Sequence, residues 1–394
     1  MQDVYIVAAR RTPIGRFNGA LASVPAPEFG AIALRAVIDD ARIDPAAIAE
    51  VFMGNVLTAG LGQNPARQAA IGAGIGVDVP ATTINAVCGS GLKAIQLAAQ
   101  AIRAGEGAVY AAGGQESMSR APHAMSGLRR GVKTGDITAR DTMLVDGLWD
   151  AFNDVHMGMT AEHLAARFGI SRNELDAFAV ESQRRAAAAL VAGYFAREIV
   201  PLSVAERRNT RIVGADEQPQ PETSLETLAR LAPAFDPAGT VTAGNASSLN
   251  DGAAAVIVAS GAAVARHAMR PRARIAAMAL VGVEPMLMGL GPVAASSRAL
   301  ELAGWTVADL DLIEVNEAFA AVGVAVNREM GWDPARVNVN GGAIALGHPI
   351  GASGCRLVVS LLHEMERRQA RRGLATLCIG GGMGIAICLE RDGS

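Results

Sequence analysis

Three pairs of landmarks recur along the chain at nearly one spacing. Asn55 and Asn316 stand 261 positions apart, Gly91 and Gly354 263, and Gly113 and Gly380 267, in the same order in both halves. A repeated order of elements with like punctuation is the mark of a duplicated unit, so the chain is expected to contain two copies of one fold. The first copy reads as a strand at 4–8, a helix over 27–42 with apolar residues at helical spacing, and a second helix start at Asp44-Pro45. A strand at 51–53, a glycine-rich loop over 54–64 and a helix over about 65–73 follow. The copy ends in a strand–turn–helix around Cys88 and a strand at 108–112 closed by Gly113-Gly114. The second copy reads as a helix over 292–303, a strand at 311–315, a glycine-rich turn leading into a helix over 351–370, and a strand at 374–378 closed by Gly380-Gly381-Gly382. Alternating strands and helices predict an α/β fold whose sheet is covered on both faces.

Between the copies lies an insert, about 119–248, richer in polar and charged residues such as Arg129, Arg130, Lys133, Asp136, Arg207, Arg208 and Arg211. Within it Ser171–Ala192 reads as a helix with Ser171 as its cap and Glu174 completing a capping box. Inserts off a rigid α/β core commonly build the substrate pocket. Downstream, the strand at 253–259 is expected to return to the first copy's sheet. A chain of 394 residues, 51% hydrophobic and 19% charged, can bury a large core. A net charge of −3 argues against a nucleic-acid binder. Only Lys93 and Lys133 are lysines, so cationic contacts fall to arginine, whose fork suits phosphates. No uncharged apolar run approaches the roughly 20 residues of a membrane helix. The four cysteines make no C-x-x-C pair and no zinc spacing, and with no visible targeting segment the reading is of a soluble, cytoplasmic protein without metal.

Cys88 sits where a buried strand turns into a helix. Gly89 and Gly91 would let the backbone bend, and the helix N-terminus would favour thiolate, the nucleophilic form. A small buried core thiol fits the same residues. In the second copy, Gly347-His348-Pro349 precedes the equivalent helix, so two halves meeting face to face would bring His348 to Cys88 as its base. Cys378 ends a strand before Gly380-Gly381-Gly382, whose free N–H groups could hold an oxyanion. Asn316 could orient a water or serve as a helix cap. Cys355 and Cys388 read as core filler.

Taken together, Asn85-x-x-Cys88-Gly89-Ser90-Gly91, Gly113-Gly114-x-Glu116-Ser117-Met118-Ser119, Asn316-Glu317-Ala318-Phe319, Gly347-His348-Pro349 and Cys378-Ile379-Gly380-Gly381-Gly382 resemble the thiolase family, from Arg11-Thr12-Pro13-Ile14-Gly15 to the C-terminus. Within it the likeness is greatest to bacterial biosynthetic acetoacetyl-CoA thiolases. The resemblance implies a duplicated thiolase fold: two βαβαβαββ halves stacked as a five-layer αβαβα sandwich, with an inserted loop domain. The divisions expected are 1–118 plus 249–268, 119–248, and 269–394. It implies an acyltransferase that condenses two acetyl-CoA to acetoacetyl-CoA and CoA, with these thioesters as substrates and no cofactor.

By the same resemblance, Cys88 accepts the acyl group. His348 takes its proton and, with a water held by Asn316, lines one oxyanion site, while the N–H groups of Cys88 and Gly380 form the other. Cys378 is the acid/base toward the second acetyl-CoA. Leu148, His156, Met157, Phe235, Ala243, Ser247, Leu249, Met288, Ala318 and Phe319 match positions lining the CoA pocket, with Met157 and Met288 shortening the acyl tunnel. The family works as dimers or tetramers, and 119–140 resembles the segment that builds a dimer of dimers. Two positions depart from the pattern: Gln220 and Ala232 stand where relatives often carry Arg near the CoA adenine. A degradative 3-ketoacyl-CoA thiolase uses the same groups with a longer pocket. A ketoacyl synthase would want a second histidine where Cys378 stands, and a non-catalytic lipid-binding relative should have lost one of these residues.

Overall fold

The computed structural model describes residues 2–206 and 209–391, so Arg207 and Arg208 lie outside the described residues. The first half runs β1 (Val4–Arg11), α1 (Ala26–Ala41), β2 (Glu50–Gly54), α2 (Pro65–Gly72), β3 (Ala81–Ile84), α3 (Ser90–Ala104) and β4 (Val109–Ser117). An insert containing α4 (Met157–Phe168) and α5 (Arg172–Val191) follows. The chain then returns as β5 (Asn250–Ser260), which pairs with both β1 and β4. The second half runs β6 (Ala273–Gly282), α6 (Gly291–Ala303), β7 (Leu312–Val315), α7 (Ala320–Met330), α8 (Ile350–Arg368), β8 (Arg372–Ile379) and β9 (Met383–Glu390).

The strands are ordered β7-β8-β9-β6-β1-β5-β4-β2-β3. β6 and β1 touch through two residue pairs, Tyr5 with Arg274 and Ile6 with Ala273, so this short seam joins two half-sheets of mirrored plan. In each half the parallel pairs lie at the outer edge and the antiparallel strands toward the seam. Helices α1 and α2 cover the outer face of the first half-sheet, and α6 and α7 lie on the outer side of the second. Helices α3 and α8 pack against each other and against strands of both halves, which makes the middle layer of five. Apart from the insert in the first copy, the two differ at one edge strand. The second half's counterpart of β3 is reduced to a single bridge of Val337 to Ile313.

The middle layer is apolar nearly all round. Leu92, Ile95, Ala98 and Ile102 of α3 share one core with Leu357, Val358, Leu361 and Met365 of α8, and with strand residues of both halves such as Val256 and Ile385. Where these helices begin, their backbones nearly touch. A Cβ on Gly91 would lie 2.9 Å from the Cys355 nitrogen, and one on Gly354 2.6 Å from the Leu92 nitrogen. Gly351 presses on β4 in the same way, its carbonyl oxygen 2.0 Å from a Cβ built on Gly114. These contacts revise the sequence reading at two places. Gly113-Gly114 do not close a strand, because β4 runs through them to Ser117. Gly351 and Gly354 lie inside α8 rather than in a turn before it.

Two buried side chains, Glu116 and Arg11, tie the layers to their loops. Glu116, at the end of β4, accepts from the N–H groups of Val56, Leu57 and Gly351 and from the Asn55 amide, so one side chain joins the loop after β2 to the start of α8. Arg11 is fully buried and forks onto Asp216 at 2.7 and 2.9 Å while meeting Glu198 at 2.7 Å, which anchors the end of β1 to the insert. In the insert, α5 starts at Arg172 with the expected Ser171–Glu174 capping box. Among the described residues no helix is long and apolar enough to cross a membrane.

Gly354→Ala should lower stability by about 1–3 kcal/mol, because the added methyl meets backbone that cannot step aside. Gly261→Ala, whose methyl would meet only the Tyr5 ring at 3.5 Å, serves as the control. Urea unfolding midpoints that move equally for both variants would contradict this account of the interface.

Candidate active site

At the head of α3 the chain turns through Val87, a β-branched residue held at φ +46°. L side chains with a branched Cβ rarely occupy this region, and such strain persists only where neighbours impose it. Here the Asn85 side chain accepts from the Val87 N–H at 3.0 Å. The Ser90 hydroxyl accepts from the Ala86 N–H at 2.9 Å and donates to the Val87 carbonyl at 2.6 Å. The sequence reading placed the bend on Gly89 and Gly91, but Gly89 has an ordinary φ of −77° and Gly91 is helical. Gly89 is needed for space instead, since its Cβ would lie 2.3 Å from the Ile379 side chain. Asn85 and Ser90 are the residues that shape this turn, and a β-branched residue at a left-handed position carries no signal in sequence.

His348 reaches the same place from the second half. Its N–H donates to Asn250 Oδ1 at 2.8 Å, and Asn250 in turn donates to the Gly15 carbonyl at 2.9 Å. The preceding Gly347 has φ +102° and lies against Asn250 with no room for a Cβ. The imidazole is buried. Its Nδ1 lies 2.6 Å from Ser353 Oγ, and Asn316 Nδ2 lies 3.3 Å from Nε2 and 3.5 Å from Nδ1. Burial, reinforced by the Arg356 charge, lowers the His348 pKa to about 3, so the ring is neutral at physiological pH. Asn316 follows β7 and is not a helix cap, because α7 begins at Ala320 with Phe319 as its cap. Its Oδ1 has no hydrogen-bond partner among the described residues.

Cys378, near the end of β8, is fully buried and lines the same cavity as Cys88. Burial pushes its thiol well above the ordinary value, and a charge on Cys88 would push it further. Cys88 itself is partly exposed, though what it faces is this cavity. Its own N–H and that of Gly380 are directed at its sulfur. These donors favour thiolate, as the helix N-terminus was expected to, yet desolvation outweighs them and raises the thiol to about 11. The resting pair is therefore thiol and neutral imidazole rather than an ion pair.

The cavity has a volume of about 350 Å³. Leu148, His156, Met157, Phe235, Ala243, Ser247, Leu249, Met288, Ala318 and Phe319 all line it, as do Cys88, His348, Cys378 and Gly380. Asn316 is in contact with the His348 ring and is not among the lining residues. One wall is aromatic: His156 stacks on Phe235 with centroids 4.6 Å apart, and Phe235 meets Phe319 edge-on at 6.2 Å. His156 also caps α4, accepting from the Gly158 N–H at 3.0 Å. Met118, Leu144, Gly147, Ala234, Ala246, Ser248 and Ile350 complete the lining without having been read as pocket residues from the sequence. As uncharged residues within ordinary apolar or small-residue runs, they offered no chemical mark. Gln220 donates its backbone N–H to Gln183, and Ala232 is exposed.

Residues 4–262 match the family described as Thiolase, N-terminal domain, and residues 269–391 match Thiolase, C-terminal domain. The chain is 59% identical to the acetyl-CoA acetyltransferase of Pseudomonas aeruginosa, with all of both chains covered. It is 57% identical to that of Cupriavidus necator, over 99% of this chain and all of the other. Among solved structures, the Bacillus anthracis acetyl-CoA acetyltransferase superposes with a TM-score of 0.97 at 41% identity, covering 99% of both chains. Human mitochondrial 3-ketoacyl-CoA thiolase superposes at 0.96 with 43% identity, covering 99% of this chain and 98% of the other.

The two shifted groups set a pH signature. A raised thiol pKa makes thiolate scarce at neutral pH and more abundant as pH rises. A depressed imidazole pKa leaves no titration near 6.5. Iodoacetamide should therefore alkylate Cys88 with no step near pH 6.5 and with a rate still climbing above pH 9, as read by mass spectrometry of the modified peptide. A plateau already reached by pH 7 would mean a preformed thiolate–imidazolium pair.

Proposed function

The chain belongs to the thiolase family, and from that premise we propose that it joins two acetyl-CoA molecules into acetoacetyl-CoA and CoA, and runs the reverse thiolysis, through an acetyl group carried on Cys88. The observation that carries this reading is the convergence of two thiols and one neutral imidazole, from three separate segments, on one small apolar cavity. The names of the relatives at 57–59% identity over the full chain support the same reaction.

In this reading His348 accepts the Cys88 proton as the sulfur attacks the thioester carbon. The departing CoA sulfur takes the proton of Cys378, which is left as thiolate. Because burial raises its pKa, that thiolate is a strong base, suited to a weakly acidic methyl group. It removes a proton from the second acetyl-CoA, and the carbanion attacks the acetyl carbon on Cys88. The Cys88 sulfur leaves and recovers its proton from His348, so both thiols end as they began. Each attack places negative charge on a carbonyl oxygen. The N–H groups of Cys88 and Gly380 can receive one such oxygen, and His348 with a water on the unpaired Asn316 Oδ1 the other, each set contributing a few kcal/mol.

The buried Met157 and Met288 side chains beside the thiols favour short acyl groups. The likeness to a 3-ketoacyl-CoA thiolase keeps a longer-chain degradative enzyme as the second reading. We assign residues 1–118 with 249–268 and residues 269–394 to the two halves, and 119–248 to a loop domain that walls the CoA side. Exposed Met125, Leu128, Val132 and Ile137 in that domain suit contact between copies, in a dimer of dimers. A soluble cytoplasmic enzyme free of cofactors is the corresponding expectation.

Cys378→Ala should still take up label from acetyl-CoA on Cys88, more slowly because the CoA sulfur must then leave as thiolate, yet fail to condense, whereas Cys88→Ala should neither label nor condense. Thiolysis of acetoacetyl-CoA should exceed that of C6 to C10 3-ketoacyl-CoAs, and faster turnover of the long substrates would favour the degradative reading. Gln220→Arg should lower KM for CoA substrates with kcat unchanged, since the charge would act on binding alone. An unaltered KM would remove Gln220 from the adenine end.

A further inference from the structure

We propose that Val87 is a positioning residue whose side chain, held against Gly380 by a strained backbone, keeps the Gly380 N–H on the Cys88 sulfur. This rests on the reading above, in which the N–H groups of Cys88 and Gly380 receive a carbonyl oxygen as it gains charge. The Gly89 N–H donates to the Ala86 carbonyl at 3.0 Å, so Val87 and Cys88 are the central residues of a β-turn. Val87 has φ +46°, and Cys88 is not at positive φ. A positive φ at the first central position alone is the pattern of a type II′ turn, where glycine is the default. Glycine would adopt this backbone without strain, whereas valine holds it at a cost. What valine adds at this position is its side chain.

That side chain meets the glycine loop after β8. Gly380, Gly381 and Gly382 have no side chains of their own to pack, and the latter two are at positive φ. Apart from chain neighbours, two heavy atoms among the described residues lie within 4 Å of a Cβ built on Gly380: Met157 Sδ at 3.3 Å and Val87 Cγ1 at 3.5 Å. Val87 and Met157 thus occupy the side of Gly380 where a side chain would stand, while its N–H points at Cys88. A neighbouring contact fixes the register, because Ile379 fills the space that a Cβ on Gly89 would need. The bonds of Asn85 and Ser90 to the Val87 peptide hold the strained turn in place. Val87 is half-buried and is not among the residues lining the cavity, so it acts through Gly380 rather than on the substrate.

The test compares full-length wild type with Val87→Thr, Val87→Ala and Val87→Gly. Threonine keeps the branched shape. Alanine and glycine lose it, and glycine alone also relaxes the backbone. In the alanine and glycine variants kcat for acetoacetyl-CoA thiolysis should fall about 10- to 100-fold with KM within about twofold, because a displaced donor weakens binding of the transition state alone. Label uptake from acetyl-CoA on Cys88 should slow by a similar factor, and threonine should keep most of the wild-type kcat. The glycine variant should unfold at higher urea than the alanine variant yet be no more active, since stability follows the backbone and activity the side chain. Wild-type kcat in the alanine variant would overturn the assignment, as would a glycine variant more active than alanine or a threonine variant as slow as alanine. A wild-type enzyme that takes no label on Cys88 would instead sink the underlying reading, an outcome independent of the Val87 comparison.

Discussion

Backbone-to-backbone contact between the two central helices is the constraint on which the rest of the molecule depends. Gly91 and Gly354 leave no space for a side chain between α3 and α8, and Gly114 leaves none between α8 and β4. Close-packed interiors transmit such contacts rigidly. The loops that enter these two helices therefore have fixed positions, and those loops carry Cys88 and His348. Glu116 adds a polar tie to the same junction through its bonds to Val56, Leu57 and Gly351. A duplicated fold whose halves share a helical middle layer thus has one natural place for chemistry, where the helix starts converge.

That place is buried and mostly apolar, and desolvation there sets the protonation states. Two thiols and an imidazole in water would titrate between about pH 6 and 9. Inside the cavity each shift opposes charge: the thiols rise, the imidazole falls, and Arg356 depresses the imidazole further. A thiol acidic enough to be ionised at rest would give an intrinsically weaker nucleophile. In the proposed mechanism a neutral pair forms charge only as the acyl group arrives, and the N–H groups of Cys88 and Gly380 would receive it. Preorganised donors in a medium of low polarity act most strongly under these conditions.

The insert serves the same site from outside the repeat. Arg11 reaches out of β1 to Asp216 and Glu198, so the insert is bolted to the core by a buried, doubly paired guanidinium. Removing Arg11 would strand both carboxylates in the interior, which is costly. With the insert so fixed, His156, Phe235 and Met157 come to stand against Phe319 and Met288 of the second half.

The order of elements, the duplicated plan, the return of β5 to the first sheet and the Ser171 capping box were all legible in the residues, because each depends on local periodicity or on punctuation near in sequence. The two thiols and the imidazole that meet at one cavity, Cys88, Cys378 and His348, were marked too, by short glycine-rich turns beside them. Tertiary structure alone decided what those glycines are for: packing at Gly91, Gly113, Gly114 and Gly354 rather than bending, with the bend at Val87. It also decided the sign of the thiol shift, since burial outweighs the helix N-terminus. The positions of Ser353 and Asn250 beside His348 were decided there as well. The physical reason is common to all three. Desolvation and steric exclusion depend on what lies across the interface from a residue, and that neighbour comes from a distant part of the chain.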